Sequence, residues 1–444
     1  MSKINIFWFR RDLRLEDNAG LYHALKSGLP VLPIFIFDKN ILDKLEDKAD
    51  ARVEFIHQEL ARLSDELEKL GSGILVKYGV PNDVWTELLQ EYEIEAVFTN
   101  HDYEPYARER DGGIRKLLKD NGIAFHSFKD QVILEKDEVL KDDGEPYVVF
   151  TPYKRKWLEK LDSEMVDDGS GGKLSFYFQS YPTGKYHDHF FKTKPFEIPT
   201  LAGMGFEPAG IPFPAREVKQ GIIKHYDETR NFPAVDGTSR LGIHYRFGTI
   251  SIRKKARKAA ILNKTYLNEL IWRDFYAMIL WHFPHVLDGP FRPQYADIEW
   301  RNNEQEFKKW CEGKTGYPIV DAGMRELNET GYMHNRVRMI VASFLSKHLL
   351  INWQWGEAYF AKKLLDFDLA SNSGGWQWAA GCGTDAAPYF RIFNPASQQE
   401  KFDKDLNYVK KWVPEFGTKD YPEPIVDHKI ARERCLEVYK KALK

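Results

Sequence analysis

The first 130 residues alternate between short apolar runs and amphipathic segments, and this alternation limits the possible fold more than any other feature. The runs INIFWF, VLPIFIFD, GILVKYG, EAVFTN and IAFHSF have the β-branched and aromatic content of buried strands. The segments LRLEDNAGLYHALKSG and ARVEFIHQELARLSDELEKLGS have the apolar period of an α-helix and stop at glycine. The pattern predicts an α/β domain with a doubly wound parallel sheet, which binds ligands at the carboxyl ends of its strands.

The alternation ends near residue 130, and two further parts follow along the chain. Residues 131–205 are rich in Pro, Gly, Lys and Asp, with SEMVDDGSGGK as the most linker-like piece. From residue 206 onward, helix patterns dominate and alternating strands are almost absent. The sequence therefore predicts an α/β domain at 1–130, an interdomain linker at 131–205 and an all-α domain at 206–444.

Charge is distributed unevenly, although the whole chain carries a net charge of only −2. Residues 1–130 hold 18 Lys and Arg against 24 Asp and Glu, a net of −6, and the remainder therefore carries a net of +4. A polyanionic partner is expected to bind the helical part.

The cysteines and the apolar segments indicate a cytoplasmic protein. The three cysteines are scattered without metal-ligand spacing, which predicts neither a disulfide framework nor a metal site and is typical of a reducing compartment. The start, MSKINIFWFRRDLRL, reaches arginines after a short apolar run, so a signal peptide is not expected. No apolar stretch is long enough to cross a membrane.

Three stretches of the helical part carry candidate binding groups. GTSRLG predicts a turn at a helix start, where Thr238 and Ser239 would cap the helix and its free N–H groups would receive a phosphate; an ordinary N-cap is the alternative. In LNELIWRDFY, Glu269 and Arg273 share one helix face with a tryptophan and could bind a nucleotide-like group, although a surface ion pair has the same spacing. In GYMHNRVRMI, Met339 shares a face with an asparagine, and a core methionine is the alternative.

A fourth stretch, DFDLASNSGGWQWAAGCGTDAAPYFRIFNP, crowds acids, glycines and tryptophans together and predicts a polar loop. Asp366 and Asp368 lack a nearby histidine or third acid, so a metal site is not expected. They could instead pair with an arginine such as Arg338, or receive an amino group from a ligand. A plain turn between two helices is the alternative.

Long motifs extend over nearly the whole chain. They run from FWFRRDLRLEDN through FPAVDGTSRL, LNELIWRDFY and EGKTGYPIVDAGMRELNETGYMHNRVRMI to GGWQWAAGCGTDAAPYFRIFNP and YPEPIVDHK. With these motifs the chain resembles the DNA photolyase/cryptochrome family, specifically its class I cyclobutane pyrimidine dimer photolyases. The resemblance implies an N-terminal α/β domain and a C-terminal helical domain that binds FAD non-covalently.

The resemblance also implies which residues hold the FAD. Asp366 is expected to pair with Arg338 under the isoalloxazine ring, and Asn372 is expected to face flavin N5, where an amide can donate or accept. The expected FAD-binding residues are Tyr226, Thr238, Ser239, Arg240, Leu241, Gly242, Arg273, Arg338, Asp366, Phe367, Asp368 and Asn372.

The implied activity is light-driven repair of UV-damaged DNA, in which photoexcited reduced FAD donates an electron to a flipped-out pyrimidine dimer. The expected partner is DNA that contains such dimers, and the expected state is a monomer. Trp300, Trp353 and Trp376 are the expected electron-transfer residues. The expected catalytic residues are Glu269, Asn335, Met339 and Asn372, and the expected DNA or lesion contacts are Arg230, Glu269, Trp272, Arg273, Asn335, Arg336, Met339, Trp378 and Arg391.

The sequence departs from folate-binding relatives at the site of the second, light-harvesting chromophore. Those relatives carry an Asn-Glu pair after the strand EAVFTN, where this chain has HDYEPYARERD. A deazaflavin or FMN, or no second chromophore, is therefore expected rather than a folate, with Asp102 and Arg52 as candidate contacts. Tyr332 and Tyr266 stand where bacterial class I relatives often have Trp, which keeps both positions aromatic.

Three other functions remain open for this sequence. A cryptochrome-type blue-light photoreceptor would lack the pocket residues and usually carries a C-terminal extension. A six-four photoproduct lyase would carry a histidine in place of Met339. A dark flavoprotein electron carrier would not need three arginines around a cavity.

Overall fold

A computed structural model describes residues 3–168 and 171–444 and divides the chain into two compact units. The first unit contains residues 1–135, 158–216 and 241–258, and the second contains residues 136–157, 217–240 and 259–444. Each unit is thus assembled from separate chain segments. The boundaries 1–130, 131–205 and 206–444, drawn from the order of sequence patterns, stay a prediction.

The first unit is built on a parallel sheet of five strands in the order β3-β2-β1-β4-β5. The chain leaves β1 toward one edge and returns to β4 on its other side, which is the doubly wound topology that the alternation predicts. The α/β prediction is therefore confirmed. The strands are β1 (Ile4–Phe9), β2 (Val31–Asp38), β3 (Leu75–Gly79), β4 (Ile94–Asn100) and β5 (Ala124–Phe128).

A proline inside β2 is compatible with the sheet because of the register. Pro33 lies opposite Phe7 of β1, but β3 pairs with β2 only from Ile34 onward. The missing N–H of Pro33 therefore faces a position where no third strand is paired. All eight residues of β2 are buried, as expected for a strand covered on both faces.

Helices cover the sheet, and the first begins later than its sequence pattern suggests. Asn18 caps α1 by accepting a hydrogen bond from the Leu21 backbone N–H at 3.1 Å, so the preceding residues LRLED lie outside the helix. The first six helices are α1 (Ala19–Lys26), α2 (Lys39–Leu42), α3 (Ala51–Glu68), α4 (Pro81–Glu91), α5 (Pro105–Asp120) and α6 (Phe150–Ser163).

The segment predicted as a linker contains regular structure. It includes α6 and two short antiparallel strands, β6 (Met165–Asp167) and β7 (Lys173–Ser175). Trp157 of α6 is fully buried and donates its Nε1–H to the Asp274 carboxylate at 3.0 Å. Both residues belong to the second unit. Residues 169 and 170, in the middle of SEMVDDGSGGK, lie outside the described residues. The segment predicted as a linker therefore contributes buried contacts as well as connecting other parts of the chain.

Residues 206–444 form helices and turns without a strand, as the sequence predicts. An apolar core around Trp310 and Leu327 joins most of the helices that lie between Tyr295 and Tyr439 in the second unit. One π-helical segment, Phe344–His348, extends α14, and short 3₁₀ turns lie at Lys136–Glu138, Phe176–Phe178, Thr183–His189, Ala202–Met204, Pro284–Leu287 and Pro293–Tyr295. The helices are α7 (Gln220–Lys224), α8 (Tyr226–Thr229), α9 (Gly242–Arg246), α10 (Ile252–Leu262), α11 (Lys264–His282), α12 (Glu304–Cys311), α13 (Pro318–Thr330), α14 (Asn335–Ser343), α15 (Trp353–Lys363), α16 (Leu369–Ala380), α17 (Pro395–Phe402), α18 (Asn407–Trp412) and α19 (His428–Ala442).

The first unit offers a stability test at Gly248. This glycine has a φ of +60°, and a β-carbon there would overlap the Arg11 carbonyl oxygen. We expect Gly248→Ala to lower the free energy of unfolding by about 2–4 kcal/mol, through left-handed strain and steric overlap. Urea unfolding monitored by circular dichroism measures this difference.

Gly221→Ala is the matched control. Gly221 lies in α7 with open space around its α-carbon, so alanine is expected to leave stability unchanged or slightly raised. Equal stability of the Gly248→Ala variant and the wild type would contradict the proposed constraint.

Candidate functional site

The carboxylate of Glu269 forms an ion pair with Arg230 in the second unit. Glu269 lies on α11, and Arg230 is the C-cap of α8. Asn263, the N-cap of α11, donates to the Asp227 carboxylate of α8 at 2.5 Å and thereby ties the two helices together. Burial raises the pKa of Glu269, while the nearby guanidinium of Arg230 opposes that shift. The resemblance placed Glu269 among the catalytic and lesion contacts and Arg230 among the DNA contacts, but it did not predict that they pair.

Trp272 stacks face to face on Phe150, with ring centroids 3.7 Å apart and an angle of 7° between the planes. Glu269, Trp272 and Arg273 lie on α11 as the spacing predicted, and Trp272 and Arg273 are half-buried. Phe150 was missed because it lies in the segment interpreted as linker, where no periodicity marks it. The stack forms a flat apolar surface. Its Trp272 lies on the same helix as Glu269, three residues further along the chain.

The first half of the stretch predicted as a polar loop forms a helix, α16, so the loop prediction was wrong for Leu369–Ala380. Asp368 caps it by accepting from the Ser371 backbone N–H at 3.0 Å, and Gly381 ends it with a φ of +89°. Two glycines inside the helix hid the pattern, because glycine is unfavourable in a helix interior unless packing requires it. Gly374 has that reason, since a β-carbon there would overlap the Tyr276 ring of α11.

Asn372 on α16 is held by a buried carboxylate that the sequence did not single out. Its side-chain amide donates to the Glu357 carbonyl at 3.1 Å and to the Glu357 carboxylate at 2.9 Å. Burial raises the pKa of Glu357. The contact fixes the amide orientation of Asn372, so its oxygen is presented away from Glu357.

The expected pair of Arg338 and Asp366 is formed. Arg338 donates from Nη2 to both carboxylate oxygens, at 3.0 and 2.9 Å, and from Nε to the Met333 carbonyl at 2.8 Å. The nearby residues Phe367, which packs on the core, and Asp368, which caps α16, follow directly in sequence. Asp366 thus carries a fixed, compensated charge.

The turn before α9 is held by two tyrosines and does not cap a helix in the predicted way. The hydroxyls of Thr238 and Tyr332 lie 3.1 Å apart, and Tyr266 donates to the Ser239 hydroxyl at the same distance. The N-cap of α9 is Leu241, without a side-chain cap. Leu241 and Gly242 belong to the first unit, whereas 238–240 belong to the second. Both tyrosines occupy the positions noted as departures from Trp.

Positive charge concentrates around the buried His334. Burial, together with the arginines at 338, 336, 240 and 230, lowers the pKa of His334 to about 4, so the ring is neutral near pH 7. Its Nδ1 accepts from the Arg336 backbone N–H at 3.2 Å, while its buried Nε2 has no hydrogen-bond partner among the described residues. An excess of cations beside an unused polar atom fits an anionic ligand.

The predicted DNA-facing arginines are arranged around α14. Arg336 donates to the Asn231 side chain at 2.7 Å and lies 4.5 Å from the Phe402 ring centre. Burial and the fields of Arg230 and Arg391 lower the pKa of Arg336, so the three guanidinium groups repel one another. Asn335 is exposed, and the Met339 sulfur accepts from Arg336 at 3.6 Å.

The three predicted electron-transfer tryptophans are placed from the interior outward. Trp376 and Trp353 are buried, whereas Trp300 is partly exposed and meets the Tyr439 ring edge-on at 6.2 Å. Trp376 also lies 5.0 Å from Phe360 and 6.0 Å from Trp310. Trp378 and Tyr226 complete the predicted set: Trp378 packs on the core, and Tyr226 lies 5.3 Å from the Arg230 guanidinium.

The candidate residues for a second chromophore belong to the first unit and already have charged partners. Asp102 pairs with Arg11 at 3.2 Å, and arginines lower its pKa against the opposing effect of burial. Arg52 donates to Asp50 at 2.9 Å. In the described ranges, no helix is long and apolar enough to span a bilayer, and no cluster of three metal-ligating side chains occurs.

Comparisons with known proteins identify two domain families in the chain. Residues 5–168 match the family "DNA photolyase", and residues 266–419 match "FAD binding domain of DNA photolyase". A deoxyribodipyrimidine photo-lyase of Synechococcus is 38% identical over 98% of this chain and 96% of its own length. A class III photolyase of Agrobacterium tumefaciens (34% identity, 100% and 98% coverage) and a cryptochrome of Synechocystis (25%, 99% and 99%) each superpose with a TM-score of 0.84.

His334 provides a pH test of the cationic environment. A pKa of about 4 in the folded state, against about 6.5 when unfolded, means that the unfolded chain binds the extra proton between these values. Stability is therefore lost as the pH falls through this window. We expect the wild type to lose about 2 kcal/mol more than His334→Asn between pH 7 and pH 5, since asparagine caps α14 without titrating.

Urea unfolding of both proteins at the two pH values measures the difference. Nuclear magnetic resonance of the His334 ring should independently show it neutral at pH 5. Identical pH dependence in the two proteins would contradict the lowered pKa.

Proposed function

We propose that this chain, which belongs to the DNA photolyase family, is a light-driven repair enzyme that splits cyclobutane pyrimidine dimers in UV-damaged DNA. One observation carries the proposal. The second unit combines a half-buried carboxylate on α11, an aromatic stack between Trp272 of α11 and Phe150 of α6, and three arginines in and around α14. A flipped-out dimer and its flanking phosphates need these three kinds of group.

The second unit also fits a non-covalently bound FAD. Of the four arginines around His334, Arg240 would meet the diphosphate, and the unused His334 Nε2 offers a further polar contact. Gly375 has open space above its α-carbon, where a planar group can approach the backbone. In the second unit we assign FAD binding to the set Tyr226, Thr238, Ser239, Arg240, Arg273, Arg338, Asp366, Phe367, Asp368 and Asn372. Leu241 and Gly242, which belong to the first unit, stay an expectation from the family motif.

Bound FAD would supply light absorption and the electron, and the chain's own residues would hold the lesion. Trp272, Met339 and Trp378 offer apolar surface to a dimer whose rings have lost aromaticity. Glu269 and Asn335 offer polar contacts, and a protonated Glu269 would donate to a pyrimidine carbonyl as negative charge develops there. Asn372, oriented by Glu357, would hold its amide oxygen toward the flavin side.

The arginines at 230, 336 and 391 would bind the DNA backbone on either side of the lesion. Phosphate contacts position a protein on DNA and carry no sequence information. Their mutual repulsion in the free protein favours an added anion, because a phosphate between guanidinium groups relieves it. This cluster accounts for binding strength, and the pocket accounts for lesion preference.

The photolyase class, the second chromophore, the oligomeric state and the cellular location of this protein are also proposals. The class I assignment rests on the motifs, while a similar solved structure is a class III photolyase. For the second chromophore we propose a deazaflavin or FMN, or none, in preference to a folate. Monomeric state and cytoplasmic location are likewise proposed from the sequence.

The activity is tested with a duplex that contains one cyclobutane dimer. Purified, reduced protein with FAD is expected to restore intact pyrimidines under blue or near-UV light and to leave the dimer unchanged in the dark. Repair of a six-four photoproduct instead would identify the six-four alternative. A flavin that responds to light without repair of either lesion would favour a photoreceptor.

Trp376 tests the electron path to the protein surface. We expect Trp376→Phe to stop light-driven reduction of oxidised FAD by external donors, since phenylalanine is far harder to oxidise than tryptophan. Repair by chemically pre-reduced protein should survive. Absorption spectra during illumination measure the reduction, and undiminished reduction would place the path elsewhere.

Trp412→Phe is the matched control. The indole Nε1 of Trp412, like that of Trp376, is buried without a hydrogen-bond partner, so neither substitution removes a hydrogen bond. The control should retain both photoreduction and repair.

A further inference from the structure

We propose that Glu269 takes up a proton from solvent when damaged DNA binds, because Arg230 exchanges the Glu269 carboxylate for a DNA phosphate. The inference rests on the proposed function and adds a step to it. One proton joins the carboxylate, and Arg230 stays cationic while it changes its anionic partner. The Arg230–Glu269 ion pair is therefore a state of the DNA-free protein.

The Glu269 carboxylate and a DNA phosphate would compete for the guanidinium of Arg230. Arg230 is shared between Glu269, with which it pairs, and the arginine cluster that would bind phosphate. A guanidinium does not lose its proton in a protein. Any change of protonation that follows the arrival of a phosphate must therefore occur at the carboxylate.

The surroundings of Glu269 favour the neutral acid once Arg230 turns away. Burial already raises the pKa of Glu269, and Arg230 is the charge that opposes this effect. The other titratable groups that interact with Glu269 are the phenols of Tyr226, from α8, and Tyr276, from α11. Burial raises the pKa of both phenols, so they stay neutral, and Asp385 acts on Tyr276. Arg230 is therefore the charge that keeps Glu269 ionised.

Binding of DNA changes the balance in one direction. The phosphate adds negative charge near the carboxylate, and the lesion removes water from it, and both effects disfavour ionised Glu269. The neutral acid is also the form that can donate a hydrogen bond to a pyrimidine carbonyl. Capture of the backbone by Arg230 would thus prepare Glu269 to recognise the lesion.

Calorimetry measures the proton directly. A dimer-containing duplex is titrated into the full-length, FAD-loaded protein at one pH in Pipes and in Tris, two phosphate-free buffers whose heats of proton release differ. We expect uptake of up to one proton per lesion bound. The affinity should fall as the pH rises, by at most about tenfold per pH unit, because proton uptake is part of binding.

Two variants assign the proton to Glu269. Glu269→Gln is neutral at every pH, so the uptake should disappear while binding persists. Arg230→Gln removes the partner that keeps Glu269 ionised, so the uptake should shrink although DNA binding weakens. Uptake that is unchanged in Glu269→Gln, or a wild type whose binding heat is the same in both buffers, would overturn the inference.

The pair of Arg325 and Glu415 supplies the matched control. Its side chains are 22% and 29% exposed, against 22% and 30% for Arg230 and Glu269, and they lie 2.6 Å apart at their closest charged atoms. Glu415→Gln should leave the proton uptake as in the wild type, and its loss there would also overturn the assignment.

The same titrations separate this inference from the proposed function. A wild type that binds the dimer-containing duplex no better than an intact duplex would contradict the proposed function, and with it this inference. A wild type that prefers the dimer, but with heats independent of the buffer, would contradict the proton uptake alone.

Discussion

Close approach of helices at glycine is the constraint on which the second unit depends. A β-carbon at Gly356 of α15 would overlap the Trp376 ring of α16, and one at Gly374 of α16 would overlap the Tyr276 ring of α11. The absence of side chains at these two positions lets α16 lie tightly between its neighbours. Interiors are packed too densely to yield, so larger residues there would displace the helix. Asn372 and Trp376 are carried on this helix, and their positions follow from the packing.

Two arginines of the second unit differ in whether a carboxylate neutralises their charge. Arg338 is committed, since Asp366 accepts two hydrogen bonds from it at about the ideal distance. Among the described residues, Arg336 has no carboxylate partner: it donates to an amide and lies over an aromatic ring. The pairing of Arg338 with Asp366 stabilises the fold where the isoalloxazine ring of FAD is expected to lie. The contacts of Arg336 leave charge to be satisfied by an external anion, and this division supports the separate roles of the two arginines.

Much of the fold could be predicted from the sequence, because it follows from local periodicity. The strands of the first unit have the alternation with amphipathic segments that a doubly wound sheet requires, and α3 has the apolar period of a helix. The pairing of Arg338 with Asp366 came from the family resemblance, and the structure contains it. Helix α16 was missed because two adjacent glycines broke the local pattern, and the contact of Gly374 with the Tyr276 ring of another helix has no local sign in the sequence.

Side-chain partners from distant segments could not be predicted in the same way. The stack of Phe150 on Trp272 joins residues far apart in sequence, and neither residue carries a local sign of the other. The contact of Glu357 with Asn372 depends on how α15 packs against α16, and the pairing of Glu269 with Arg230 depends on how α8 packs against α11. Spacing identifies residues on one face of one helix, whereas a site is assembled from faces of several helices.

The placement of Arg391 illustrates how the fold can position an exposed residue without using its side chain. Lys347, only 1% exposed, donates from Nζ to the Arg391 carbonyl at 3.0 Å. Burial lowers the pKa of Lys347 to about 8, a cost that its hydrogen bond to the loop partly offsets. The lysine reaches this carbonyl from the π-helical segment Phe344–His348, a local distortion that often accompanies functional sites. Because the anchor acts on the main chain, the Arg391 guanidinium stays exposed and can bind a phosphate.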